Sequence, residues 1–138
     1  MSHGIPRGDN VDLWAYRTSA SNSTAQDQAI NNGATYSTAT YAISIYIDGI
    51  DFIDIAMKAT VPDAAISGDV TFSWLLTNNS TWPKQASFTT KLTPTRNTTA
   101  DRANQTIDVR GYKYLCILSV ANACGQNLTA VNAEVVGR

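Results

Sequence analysis

The carboxylates of the segment DGIDFID have the spacing that comes nearest to a metal site. Asp48, Asp51 and Asp54 recur at every third position, and calcium prefers several oxygen ligands supplied by one loop. The residues that follow alternate as in a β-strand, however, and a strand directs Asp51 and Asp54 to opposite faces. We therefore predict a turn aspartate followed by solvent-facing carboxylates, with no metal and no cofactor.

The sequence contains few residues that could carry out nucleophilic or acid–base catalysis. The single histidine is His3, near the start of the chain, whereas a Ser-His-Asp or Cys-His site needs a histidine beside its nucleophile. Cys116 and Cys124 are eight positions apart and form no recognised zinc-ligand set with one remote histidine. A site of carboxylates alone, as in glycoside hydrolysis, has only Glu134 and scattered aspartates to draw on. We predict that the protein is not an enzyme.

Aromatic side chains are the remaining candidates for a site. Those that could form a sugar-stacking platform are Trp14, Trp74, Trp82, Tyr16, Tyr36 and Tyr46. Rings of this kind more often fill a core or a subunit interface, and we favour that interpretation. Trp82 is the exception, because it precedes a proline in a polar stretch, and we expect it at a surface contact.

Composition favours strands within a single domain. The chain has 138 residues, of which Ser, Thr and Asn together make up 39. β-branched residues suit a pleated sheet, and Asn and Ser suit turns. The net charge of −1 provides no basic surface for phosphate groups, so we expect no nucleic-acid partner.

The start of the sequence lacks the charged and then apolar pattern of a secretory signal, and no apolar run approaches the ~18 residues that span a bilayer. We expect a protein made in the cytoplasm, with no membrane partner and no small-molecule ligand. In that reducing compartment Cys116 and Cys124 are expected to be free thiols.

The chain divides into a poorly patterned front and a strongly patterned remainder. Residues 1–35 are predicted to form an extended N-terminal arm, and residues 36–138 the folded domain. In the arm, Ser23 with Gln26 resembles a capping box and Gly33 a helix stop. The arm therefore either contains one short helix or is irregular.

Apolar residues recur at every second position in several segments of the folded domain, as in half-buried strands. The predicted strands cover residues 39–47, 53–61, 70–76, 88–92, about 107–120, and 127–136. Residues 93–105 are predicted to form a long polar loop, of the kind that carries binding contacts. Counting residues 12–17 as well, the strands predict an all-β fold, a two-layer antiparallel β-sandwich.

The segment DGI fixes a register if the strands on either side of it pair. A three-residue loop at 48–50 places Ile45 opposite Ile53, whereas a two-residue Asp-Gly loop would oppose apolar and polar positions. We predict the three-residue hairpin loop, with Gly49 in the left-handed conformation.

The segment DVRGYKYLCILSV is apolar on both faces of its middle. One predicted face holds Tyr112, Tyr114, Cys116, Leu118 and Val120, and the other holds Leu115 and Ile117. This pattern predicts a central strand with one face in the core and the other covered by the arm, the opposite edge or a neighbouring subunit. Arg110 and Gly111 are predicted to form the turn before it, with the guanidinium able to pair with a carboxylate or a carbonyl.

Two segments of the C-terminal half carry a family resemblance: SWLLTNNSTWPKQASFTTKL and IDVRGYKYLCILSVANACGQNLTAVNAEVVGR. Their matching positions are Trp74, Leu76, Phe88, Arg110, Gly111, Tyr112, Tyr114, Leu118, Val131 and Val135. The pattern over residues 70–138 resembles the small jelly-roll cement, or decoration, proteins of tailed-bacteriophage capsids. The resemblance implies a jelly-roll-like sandwich on the capsid surface of the virion. It also implies a homodimer or homotrimer that binds the major capsid protein and stabilises the phage head.

The predicted partner-binding residues combine aromatic rings with arginines. They are Trp14, Tyr16, Trp82, Arg96, Arg102, Arg110 and Tyr112. Two alternatives to a capsid role remain open at this point: a carbohydrate- or receptor-binding β-sandwich module, and another structural protein of a phage head or tail.

Overall fold

The structure is a computed structural model that describes residues 2–4, 10–12, 28–37, 44–78 and 84–137. Every regular element in those ranges is a β-strand, so the predicted all-β class is confirmed. In chain order the strands are β1 (Ser2–Gly4), β2 (Asn10–Asp12), β3 (Gln28–Ile30), β4 (Thr35–Ser37), β5 (Ser44–Tyr46), β6 (Phe52–Val61), β7 (Val70–Thr77), β8 (Gln85–Leu92), β9 (Thr98–Asp108), β10 (Tyr114–Asn122) and β11 (Leu128–Gly137). That part of the chain contains no helix long and apolar enough to cross a membrane.

The strands form two sheets that share one core. The β10 sheet has the order β1-β5-β10-β7-β8, with β4 also paired to β10. The β11 sheet has the order β2-β11-β6-β9, with β3 also paired to β11. The strand pairs are antiparallel apart from the parallel pair of β1 and β5. The predicted two-layer antiparallel β-sandwich is confirmed.

The chain changes sheet at almost every connection. Strands β4 and β5 pair with successive parts of one edge of β10 and so occupy one position in the sheet. From β3 to β11 the chain then alternates between the sheets, except at β7 and β8, which are neighbours. This is the winding of a jelly roll, in which two Greek keys wrap around one core.

The core between the sheets is built by alternating residues. Strand β6 buries every second residue, and these residues are Ile53, Ile55, Met57, Ala59 and Val61. On β7, the fully buried ring of Trp74 stacks with Phe72 and Phe88 at centroid distances of 6.3 and 6.2 Å. Its Nε1 donates to Thr90 Oγ1 at 2.9 Å, so the one polar atom of the indole is satisfied. The interior interpretation of Trp74 is confirmed.

The turn between β5 and β6 crosses the sandwich, so the predicted hairpin is wrong. Strand β5 pairs in the β10 sheet and β6 in the β11 sheet, and Ile45 does not pair with Ile53. The Ile50 N–H donates to the Ile47 carbonyl at 3.0 Å, and Gly49 has the predicted left-handed φ of 81°. Alternation is the same for strands that pair side by side and for strands that face each other across a core, so it could not separate the two arrangements.

Strand β9 corrects two predictions. It occupies most of the stretch for which the sequence predicts a polar loop, and it includes Ile107, which the sequence assigns to the following strand. It forms the edge of the β11 sheet beside β6, and none of its residues is buried. The inner face of this edge strand is only partly buried and includes the polar Asp101 and Gln105, so β9 lacks the regular apolar alternation that reveals a half-buried strand.

Strand β10 is the predicted central strand, between β5 and β7. Leu115 and Ile117 face the core, and a register shift at Leu118 brings Val120 into the core with them. The predicted face for Val120 is therefore wrong. Cys116 lies on the other face and is fully buried within the single chain.

The connection between β3 and β4 shows that the predicted helix stop at Gly33 is wrong. Gly33 has a φ of 76° in this turn, and Gln28–Ile30 is a strand, so Gly33 ends no helix. Ser23 and Gln26 lie outside the described residues. Strands β3 and β4 pair with β11 and β10, and sheet pairing thus begins before residue 36.

Candidate partner-binding surface

Two turns that cross between the sheets lie side by side at one end of the sandwich. They join β5 to β6 and β9 to β10. The Ile47 N–H donates to the Lys113 carbonyl at 2.7 Å, and the Val109 N–H donates to the Asp51 carbonyl at 2.9 Å. Ile47, Ile50 and Val109 are buried in the core. Backbone bonds and apolar anchors therefore hold the two turns together as one unit.

Arg110 is fixed on the surface of this unit by a carboxylate and a ring. Its Nε donates to Asp108 Oδ1 at 3.0 Å and its Nη2 to Asp108 Oδ2 at 2.7 Å. The guanidinium carbon lies 5.3 Å from the centre of the Phe52 ring. Hydrogen bonds from the side chain and then the backbone of Arg110 lower the pKa of Asp108 to about 2. The guanidinium is thus held in place while remaining exposed.

Lys84 and Tyr112 form a second cation–ring pair in the same region. The Lys84 Nζ lies 4.6 Å from the centre of the Tyr112 ring and donates to the Gly111 carbonyl at 3.1 Å. Gly111 has a φ of 85°, a conformation that favours glycine, so the Arg-Gly pair forms the predicted turn. Tyr112 packs partly against the core. The Tyr112 ring therefore packs against the core and also contacts the Lys84 ammonium group.

Tyr46 and Tyr114 are paired across β5 and β10 at the same end. Their ring centres are 5.5 Å apart and the rings are tilted by 55°. The Tyr46 hydroxyl donates to Asp48 Oδ2 at 3.0 Å, and this hydrogen bond raises the pKa of Tyr46. Tyr46 is 40% exposed and Phe52 is 38% exposed, and these are the two large apolar residues most open to solvent in the described chain. We call this region the aromatic end; it comprises Tyr46, Phe52, Lys84, Arg110, Tyr112 and Tyr114.

The opposite end of the sandwich is closed by hydrogen bonds around one buried side chain. Asn122 Nδ2 donates to the Ile30 carbonyl at 2.9 Å and to the Gln126 carbonyl at 2.8 Å. The Asn122 Oδ1 accepts the Cys124 N–H at 3.1 Å. Asn122 is 2% exposed. It therefore links the β3–β4 and β10–β11 connections inside the protein.

Backbone contacts reinforce that opposite end, which we call the hydrogen-bonded end. The Ser67 N–H donates to the Cys124 carbonyl at 2.8 Å, and the Asn97 N–H donates to the Pro62 carbonyl at 3.0 Å. Arg96 pairs with Asp63 at 2.6 Å on its surface, where both side chains are largely exposed. Solvent therefore screens this ion pair, which contributes little to stability.

The structure brings together two of the predicted partner-binding residues. Arg110 and Tyr112 share the turn before β10 at the aromatic end. Arg96 lies at the hydrogen-bonded end, and Arg102 lies in the middle of β9. The other predicted residues, Trp14, Tyr16 and Trp82, lie outside the described residues.

Sequence reasoning missed several members of the aromatic end. Strand alternation could have predicted that Phe52 faces solvent, because Ile53 faces the core and the residue before it must face outward. Lys84 carried no signal, since its contact with the Tyr112 ring joins residues that are distant in sequence. Of the other tyrosines considered for stacking, Tyr36 packs partly against the core.

The remaining surface offers little chemistry among the described residues. They include no group of three metal-ligating side chains, and Cys116 and Cys124 are both free and buried. Burial raises the pKa of the Cys116 thiol. An open hollow of about 410 Å³ on the β10 sheet is lined by residues of β7, β8 and β10, which are Ser73, Trp74, Ser87, Phe88, Thr89 and Leu118. The aromatic end is therefore the strongest candidate for a functional surface.

Comparisons with known proteins name no family for the chain. No protein-family model matches the sequence. No curated protein matches it either.

Proposed function

We propose that this chain is a structural protein that docks on another protein through its aromatic end. Aromatic residues and arginine are enriched at protein interfaces, and a few such residues carry most of the binding energy. The observation that supports the proposal is the exposed Phe52 ring under the Arg110 guanidinium, on turns fixed by backbone hydrogen bonds.

Preorganisation makes this surface suited to binding. Asp108 holds Arg110 over Phe52, and the Gly111 carbonyl holds Lys84 over Tyr112 before any partner arrives. A side chain that is already ordered loses less conformational entropy when a partner covers it. Docking would also remove the exposed part of the Phe52 ring from water.

The proposed partner is the major capsid protein of a tailed bacteriophage. The resemblance of residues 70–138 to capsid cement proteins is the reason for this choice, and the jelly-roll winding agrees with it. A protein that binds only the assembled shell stabilises that shell by mass action, by RT ln(1 + [L]/Kd). The chain would therefore act as a cement or decoration protein on the outside of the virion, without catalysing a reaction.

Co-sedimentation with capsids tests this proposal. The purified chain is mixed with capsids of the phage that encodes it, and capsids with and without the chain are then heated or transferred to low salt. We expect the chain to sediment with the capsids and to raise the temperature at which they open. A chain that stays in the supernatant, or capsids that resist heat equally without it, would refute the cement role.

A carbohydrate- or receptor-binding module is the second candidate. The exposed Tyr46 ring beside Tyr114 favours it, because a flat ring can stack on a sugar. Glycan-array binding that is lost in Tyr46→Ala would support this alternative, and an array without signal would count against it. Electron microscopy of the particle would separate the cement role from that of another head or tail protein.

A further inference from the structure

Strand β9 is an outer strand of the β11 sheet with an accessible edge. Among the described strands it pairs with β6 alone, and none of its eleven residues is buried. The outer edge of a sheet presents unpaired N–H and C=O groups that can bond to another strand. This edge can therefore accept a strand from a second molecule.

The regular part of β9 extends from Asp101 to Asp108. A register shift separates it from Thr98, and beyond that point each residue of β9 has one partner on β6. The residues on the solvent face are Arg102, Asn104, Thr106 and Asp108, opposite Lys58, Ala56, Asp54 and Phe52. Ala103 and Ile107 lie on the other face, partly buried against the core. Each face thus presents a defined sequence to an incoming strand.

Backbone geometry limits how two copies of β9 could pair. Along a strand, the N–H and C=O groups of successive residues point to alternate sides. In an antiparallel pair of two β9 strands, odd-numbered residues must therefore face odd-numbered residues, and even-numbered residues must face even-numbered ones. A symmetric pair is therefore centred on one residue. If the two-fold axis passes through Arg102, the two copies of Arg102 face each other. If it passes through Asn104, Ala103 of one copy faces Gln105 of the other. Centring on Gln105 opposes Arg102 to Asp108 twice and Ala103 to Ile107 twice.

We infer that two copies of this chain pair through β9 as a two-fold dimer centred on Gln105. Opposite charges face each other on the solvent side in this register, and apolar residues extend both cores on the inner side. Such an interface is isologous, because the same surface serves both copies.

The contacts of the two charged residues agree with this register. Arg102 forms no ion pair with the residues that the structure describes, and it lies opposite the like-charged Lys58. Asp108 is 48% exposed; its Oδ1 accepts the backbone N–H and Nε of Arg110, and its Oδ2 accepts Arg110 Nη2. A carboxylate has about four acceptor positions, so one position of Asp108 is open to a second guanidinium. The second copy would supply Arg102 with a carboxylate at that position.

Strand β8, the long outer strand of the β10 sheet, offers no such match. Its only charged residue is Lys91, so no symmetric pairing of β8 places opposite charges together. Charge complementarity therefore favours β9 over β8.

In this dimer the two aromatic ends would point in opposite directions, because paired strands run antiparallel. A protein with two docking surfaces that point apart can bridge neighbouring subunits of a shell. This consequence rests on the proposed function, whereas the dimer itself does not.

Sedimentation of the purified full chain tests the dimer. The wild-type mass should rise with concentration from 14.9 kDa towards twice that value. Arg102→Asp and Asp108→Arg should each remain at 14.9 kDa, because each places like charges together. Mixed together, the two variants oppose Asp to Arg at both positions and should double in mass. Arg96→Asp is the matched control and should behave as wild type.

A wild-type chain that stays at 14.9 kDa at every concentration would overturn the inference. An Arg102→Asp chain that dimerises, or a mixture of folded variants that does not, would do the same. If Asp108→Arg loses cooperative melting, the comparison of Arg102→Asp with Arg96→Asp decides the matter. The experiment contains no capsid, so its failure is distinct from a failure to dock.

Discussion

The two ends of the sandwich are closed by different interactions, although the same long strands reach both. At the hydrogen-bonded end, buried Asn122 satisfies three backbone groups in two connections. At the aromatic end, the Phe52 and Tyr46 rings remain partly exposed, and cations lie over Phe52 and Tyr112. The first arrangement serves stability, because buried polar groups are costly to leave unpaired. The second leaves apolar surface for a partner to cover.

The largest expected effect on stability is that of Asn122→Ala at the hydrogen-bonded end. The substitution removes the Asn122 side-chain partner of the buried Ile30 carbonyl and the buried Cys124 N–H, and each such group costs about 1–3 kcal/mol when left unpaired. We expect the free energy of unfolding to fall by about 3 kcal/mol in chemical denaturation. Asn127→Ala is the control, since its exposed Oδ1 accepts one bond, from the Asn32 N–H at 2.8 Å. Equal losses in the two variants would contradict the role of Asn122.

A pair of glycine substitutions should show a smaller difference between the ends. A Cβ at Gly68 would lie 2.3 Å from the Ala123 carbonyl oxygen, so the backbone would have to move. Gly68→Ala should lower stability by about 2 kcal/mol. At Gly49 the Cβ would meet no atom within 4 Å, and only the left-handed φ is strained, at about 1 kcal/mol. Thermal melting of Gly68→Ala and Gly49→Ala measures both losses of stability. A larger loss in Gly49→Ala would contradict this prediction.

Acid should loosen the aromatic end through Asp108. The pKa of Asp108 is lowered in the folded state to about 2 from an ordinary value of 3.8. Its contribution to stability is therefore present above pH 3.8 and is lost as the pH falls through about 2. A carboxyl titration followed by NMR should find the midpoint near pH 2, and Arg110→Gln should move it towards 3.8. An unchanged midpoint in the variant would show that Arg110 does not hold the carboxylate.

Much of the sandwich was predictable from sequence, and the failures have physical causes. The alternation of β6 and β7 identified their core faces, because both strands have one side in the interior. Strand β9 was missed because it lies at a sheet edge, where its inner face is only partly buried and carries Asp101 and Gln105 as well as Ala103 and Ile107. The face of Val120 was wrong because the register shift at Leu118 changes parity, and no residue type in the segment signals it.

The candidate surface was only partly predictable, for a different reason. The turn at Arg110 followed from the Arg-Gly pair and the strand after it. Its association with Phe52 depends on how β6 and β9 pair, which local patterns do not determine. Arg96 and Arg110 appeared equivalent in sequence, yet the structure places them at opposite ends.

A capsid-binding titration of variants from the two ends directly tests whether the chain docks on capsids through its aromatic end. Phe52→Ala and Arg110→Ala remove the aromatic end's ring and cation, while Arg96→Ala removes an exposed arginine from the hydrogen-bonded end. Melting should show that all three remain folded, since a contact between an exposed cation and a ring contributes only about 0.5–1 kcal/mol. We expect the first two variants to lose affinity for capsids by roughly tenfold or more, and Arg96→Ala to bind as the wild type does. Undiminished binding by Phe52→Ala and Arg110→Ala, or its loss in Arg96→Ala, would contradict it.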